Sequence, residues 1–109
     1  MRRLLALFLC LAPAASGHAP EGTDAAIAPW VRSLQQPRTG GLSCCSEADC
    51  ALARGVKIVD GVYWVTDGDG QRLRVDPGVI LRNVNNQAGD YLACIHGGRV
   101  LCFVLAPGT

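Results

Sequence analysis

The sulfurs and imidazoles are the side chains of this chain with the widest chemical reach. Cys44-Cys45-Ser46-Glu47-Ala48-Asp49-Cys50 forms a tight cluster, and Cys94 and Cys102 follow near the far end. Thiols so placed cross-link, exchange electrons or hold a soft metal. Redox work favours a C-x-x-C pair or a neighbour that plainly lowers a thiol pKa, and the sequence offers neither. A thiolate metal centre would show paired C-x-x-C ribbons, which the spacing does not match. Cross-linking is the first reading, and a thiol-redox protein stands behind it.

Local geometry offers several pairings. Ser46 is a good N-cap, with Asp49 three residues on as in a capping box. The pattern predicts a helical turn or two from Glu47 to Ala53, stopped by Gly55. In that helix Cys45 and Cys50 hold the two positions of a hydrophobic staple, so a local bridge is feasible. At the far end, Cys94 faces Cys102 if the hairpin loop has three residues (Gly97, Gly98, Arg99) and points away from it if the loop has two. A third option ties the cluster to this hairpin, for instance Cys44 to Cys102. Chain entropy gives roughly 2 kcal/mol for a six-residue loop and about 4 kcal/mol for one near 60 residues. At least one long link is therefore favoured. A vicinal Cys44–Cys45 bond would distort its peptide and is set aside.

The start of the chain decides whether oxidation is allowed. Arg2 and Arg3 precede a short apolar run, Leu4 to Leu11, and the small residues Pro13 to Gly17 follow. This is the layout of a cleavable export signal, with cleavage expected after Gly17 and, failing that, after Ala19. The apolar run is too short to span a bilayer, which takes about 20 residues. No later segment comes close, so no membrane span is expected. Cys10 leaves with the signal, and the mature protein is placed in the periplasm or outside the cell. Cleavage after Gly17 makes His18 the N-terminal residue. Its amine and imidazole, with His96 as a second imidazole, would form the donor set of a histidine brace for copper. A periplasmic copper-handling protein is thus the alternative function. Otherwise His18 belongs to a loose arm and His96 to a hairpin turn.

Other motifs carry less. Asp67-Gly68-Asp69-Gly70 resembles the start of a calcium loop, but its twelfth position is Gly78 where a bidentate Glu is needed, so a hairpin turn is predicted. Gly97-Gly98 lacks the strand-then-helix setting of a phosphate cradle. Only His96 is available for a Ser–His–acid set, and no elbow motif accompanies it. No catalytic residue is assigned. Tyr63, Arg72 and Arg74 fall on one face of the predicted sheet as a candidate contact patch. With 10 basic and 9 acidic residues in all, and two arginines lost with the signal, the mature chain is close to neutral. That balance argues against nucleic acid. The expected partner is a protein or another envelope component.

The elements that position these groups are short. Residues 18–28 read as a flexible arm and 29–109 as one small domain, with the signal at 1–17. Pro29 and Pro37 bracket a short helix, Trp30 to Gln35. From Val56 the period becomes that of strands. Val56–Val59 and Val62–Val65 flank Asp60-Gly61, the signal for a type I′ hairpin that pairs Val59 with Val62 and Lys57 with Trp64. A third strand, Gln71 to Val75, is expected to set Trp64 opposite Leu73 and Val62 opposite Val75. Val79 to Leu81 forms a short strand or a single helical turn, and Asn83 to Asp90 a polar loop. Tyr91–Ile95 and Val100–Leu105 make the last hairpin. The predicted fold is α+β: short N-terminal helices packed on a small meandering antiparallel sheet of about five strands, stapled by disulfides.

Trp30-Val31-Arg32-Ser33-Leu34-Gln35-Gln36-Pro37, Thr39-Gly40, the run from Cys44 to Cys50, and Cys94 with Gly98 to Val104 carry a resemblance. Together they resemble a family of small, uncharacterised exported proteobacterial proteins with a W-x-x-S-L-x-x-P…C-C-S-x-x-D-C motif. Ile95 stands where that family has Trp, and Ala106-Pro107 where it has Pro-Pro. The resemblance implies export and disulfide stapling and brings no activity with it.

Overall fold

Alternation of apolar residues fails in the last hairpin, where Leu92-Ala93-Cys94 and Cys102-Phe103-Val104 are unbroken runs. A strand needs such a run only when both of its faces are covered. In a computed structural model that describes residues 25–37, 41–44 and 49–109, those runs form the middle layer of the molecule. Strands β1 (Asp49–Leu52), β2 (Arg54–Val59), β3 (Val62–Thr66), β4 (Arg72–Arg74), β5 (Ile80–Leu81), β6 (Leu92–His96) and β7 (Arg99–Val104) make two sheets. One has the order β1-β6-β7-β5, with β5 parallel to β7; the other is β2-β3-β4.

The predicted α+β class is therefore wrong: the fold is mostly β, in two sheets. The described residues hold one α-helix, α1 (Ala28–Ser33), preceded by a 3₁₀ turn over Ala25–Ile27. Pro29 sits in its first turn, and the helix stops where Leu34 turns extended, with ψ of 135°. Where a second helix was expected, Asp49–Leu52 is strand β1, paired with β6 from Asp49↔Ile95 to Leu52↔Leu92. Cys50, Ala51 and Leu52 are all half-buried, so this segment lacks the wet face of a surface helix. A full strand partner outweighs a local capping signal. The proposed cap, Ser46, lies outside the described residues.

The four-stranded sheet has a core on each face. Leu92, Cys94, Cys102 and Val104 meet Leu34 and Cys44 on one side, with Trp30 packed against them. Ala93, Val100 and Phe103 meet Val65, Leu73 and Val75 of the second sheet on the other. Phe103 is fully buried, its ring 5.5 Å from that of Tyr63 and 5.6 Å from that of Tyr91. The order is thus N-terminal segment, four-stranded sheet, three-stranded sheet.

Turn chemistry sets the registers. Asp60 and Gly61 both have positive φ, 52° and 80°, as a type I′ turn requires, and Lys57↔Trp64 and Val59↔Val62 pair as expected. The next turn differs from expectation. Asp67 donates its N–H to the Gln71 carbonyl, and its Oδ1 accepts from the amides of Asp69 and Gln71. Gly70, at φ 84°, closes a three-residue loop where a two-residue loop was expected. One extra residue shifts the register, so Trp64 lies opposite Arg74, and Leu73 opposite Val65.

In the polar loop before β6, Asn86 stands in for regular structure. Its Nδ2 donates to the carbonyls of Asp90 and Leu105, and its Oδ1 accepts from Ala88 and Gly89.

Candidate functional site

The cysteines resolve first. Cys44 bonds to Cys102 and Cys50 to Cys94, so both links join the cluster to the last hairpin. The long link is as expected, while the local Cys45–Cys50 bridge is ruled out by the partner that Cys50 has. Cys45 itself lies outside the described residues. Cys94 and Cys102 are directly opposite in the β6–β7 pair although the loop has only two residues, because a bulge between Cys94 and Ile95 restores the register. They nevertheless bond outward, to β1 and to the segment before it. These four sulfurs are cross-links, buried or half-buried.

His96 is exposed at the end of β6, paired with Arg99 across the Gly97-Gly98 turn. His18, the other imidazole of the expected copper site, lies outside the described residues. No group of three or more His, Cys, Asp or Glu side chains is placed for a metal ion among the described residues. Asp67 caps its own turn, as the hairpin reading expects.

The register shift in β3–β4 divides the candidate contact patch. Tyr63 alternates with Trp64 and faces inward, against Tyr91 and Phe103. Arg72 and Arg74 face outward on the side of Trp64, and both are exposed. The Arg72 guanidinium carbon lies 5.5 Å from the centre of the Trp64 ring, a cation–π contact. Lys57, paired with Trp64 from the other strand, joins the same face. The outer face of the second sheet thus carries Trp64 together with Lys57, Arg72 and Arg74, with Arg54 paired to Thr66 on the same side, and none of its strand positions is acidic.

Sequence reasoning missed Lys57, Trp64 and Arg99 as members of this surface. Arg99, at the start of β7, lines a groove of about 470 Å³ together with Arg72, Arg74, Val79 and Val100. The groove's one acid, Asp76, has its Oδ1 on the Gly78 amide, where it caps the 3₁₀ turn Pro77–Val79. The signal that was available is Gly70: a glycine closing D-G-D-G fits the left-handed end of a three-residue loop, and that reading alone turns Trp64 outward. Nothing local announces Arg99, which reaches the groove only through the packing of β7 beside β4.

A second hollow, about 480 Å³, lies between the ends of the sheets, lined mainly by Ala51–Arg54, Thr66–Asp69 and the Gly97-Gly98 turn. No helix among the described residues is long and apolar enough to cross a membrane. Comparison with protein families, with curated proteins and with solved structures finds no match.

Proposed function

We propose that this protein is an exported binding module, held together by disulfides and acting on a protein or another component of the cell envelope. The observation that carries this reading is the pair of bonds Cys44–Cys102 and Cys50–Cys94. Bonds of this kind persist in oxidising compartments and are removed in the cytosol. They also free a small domain from relying on its core alone. With its fold secured this way, the outer face of the second sheet can hold exposed Arg72, Arg74 and Lys57 around Trp64 without a structural task. The Arg2-Arg3 and Leu4–Leu11 leader and the resemblance to exported proteins support the same reading.

Fractionation followed by mass spectrometry tests it. The mature protein is expected outside the cytosol, with an N-terminus at His18 and with Cys44, Cys50, Cys94 and Cys102 protected from alkylation until reductant is added. A cytosolic protein whose four cysteines alkylate at once would refute the reading.

A further inference from the structure

Strand β4 ends the second sheet, and hydrogen bonding shows which of its backbone groups look outward. The Val75 amide donates to Tyr63 O, and the Asp67 amide donates to Gln71 O. Alternation along an antiparallel pair then makes Leu73↔Val65 a hydrogen-bonded pair, and Arg74↔Trp64 and Arg72↔Thr66 non-bonded ones. The N–H and C=O groups of Arg72 and Arg74 therefore point to the free edge, which borders the groove shared with Arg99.

Two sets of side chains flank this edge. Arg72 and Arg74 stand on the outer face, while Val79 and Val100 line the groove at the inner one. A strand laid along β4 would bond the outward amides and carbonyls of both arginines. Its alternate side chains would then meet guanidinium groups and valines in turn. A second copy of this chain is a poor occupant, because edge-to-edge pairing sets arginine against arginine, and like charges directly opposite are destabilising. Charge complementarity selects an acidic strand.

We propose that the free edge of β4 receives an extended peptide segment of a partner protein, in which Asp or Glu alternates with a small apolar residue. The carboxylates lie against Arg72, Arg74 and Arg99, whose forked donors suit them, and the apolar residues enter the groove between Val79 and Val100. The backbone supplies affinity and the alternation supplies selectivity, as in other cases of strand addition. This rests on the binding-module reading and names its ligand.

The test uses the oxidised mature protein and capped six-residue peptides, titrated by calorimetry and followed by amide hydrogen exchange. A peptide alternating glutamate and valine is expected to bind, and one alternating lysine and valine is not. Binding should slow exchange at the Arg72 and Arg74 amides and leave Leu73, already bonded to β3, unchanged. R72E/R74E, two exposed changes checked for unaltered melting, should weaken binding about 30-fold, since each lost attraction becomes a repulsion of similar size. N-methylation of the peptide amides facing β4 should abolish binding, while methylation of the alternate amides should spare it. Failure of the glutamate peptide to outbind the lysine peptide would overturn the proposal. Indifference to N-methylation would overturn it too, as would equal binding of an oligogalacturonate of the same charge, which would mark the face as a reader of acidic sugars. Export and thiol protection are measured separately, so these failures leave the binding-module reading standing.

Discussion

Removal of the two disulfides, singly and together, measures how far the fold depends on them. The bonds are nested, since Cys50–Cys94 lies inside the 58-residue span of Cys44–Cys102. Closing the outer loop alone restricts the unfolded chain by about 4 kcal/mol at 25 °C. With the inner bond already in place, the outer one closes only the short connections between the two cysteines on each side, about 14 residues together, worth about 3 kcal/mol. The inner bond added to the outer is worth a similar amount. Either pair replaced by alanine should therefore cost about 3 kcal/mol, or roughly 12–24 °C in Tm for a domain of this size. Losing both should cost about 7 kcal/mol, as much as the whole stability of many small domains. The assay is thermal and urea melting of C44A/C102A, C50A/C94A and the fourfold variant, followed by near-UV circular dichroism. Tm values within a few degrees of the parent in strong reductant would refute the reasoning, and the sulfurs would then need another purpose.

Phe103→Ala should cost about 3–5 kcal/mol in urea melts, because the ring is fully buried between the two sheets. Gly55→Ala places a methyl group 2.7 Å from Thr66 Oγ1 at φ 56°; a loss of roughly 1–3 kcal/mol is expected, partly recovered by adding Thr66→Ala, which removes that oxygen. Asn86→Ala strips the loop of four hydrogen bonds, two of them half-buried contacts with Leu105 O and Ala88 N. It should lower stability by about 1–3 kcal/mol and speed amide exchange at Ala88 and Gly89. Trp64→Phe should leave the melting temperature within a few degrees, because the indole faces outward; a core-sized loss would place it inside.

Local turn chemistry was readable where both turn residues declare themselves. Asp60-Gly61 gave the hairpin and its register, and the mismatch of loop lengths in chain entropy pointed to a long disulfide. Asp67-Gly68-Asp69-Gly70 was ambiguous because either glycine can end a turn, and the choice between two and three loop residues inverts every side chain after it. The segment after Ser46 failed differently: a capping signal is worth about 1 kcal/mol, and a strand partner with a covalent tie outweighs it. Arg72 and Arg74 were found on an exposed face for the right reason, their alternation about Leu73. Tyr63 was assigned to that face through the wrong register. The long-range pairing of β5 with β7, and the presence of Arg99 beside β4, come from packing between segments far apart in the chain, which periodicity does not encode.

Cys50 and Cys94 also turn everything between them into a covalent ring, and that ring contains the whole of β2-β3-β4. A protease that cuts at the Asp60-Gly61 tip would leave both fragments tethered, migrating as one species until reduced. The outward-facing sheet can thus be nicked, lengthened or recoloured in sequence at its tip without releasing either half from the clamp. The three-stranded sheet is thus the part of the chain that this disulfide holds from both ends.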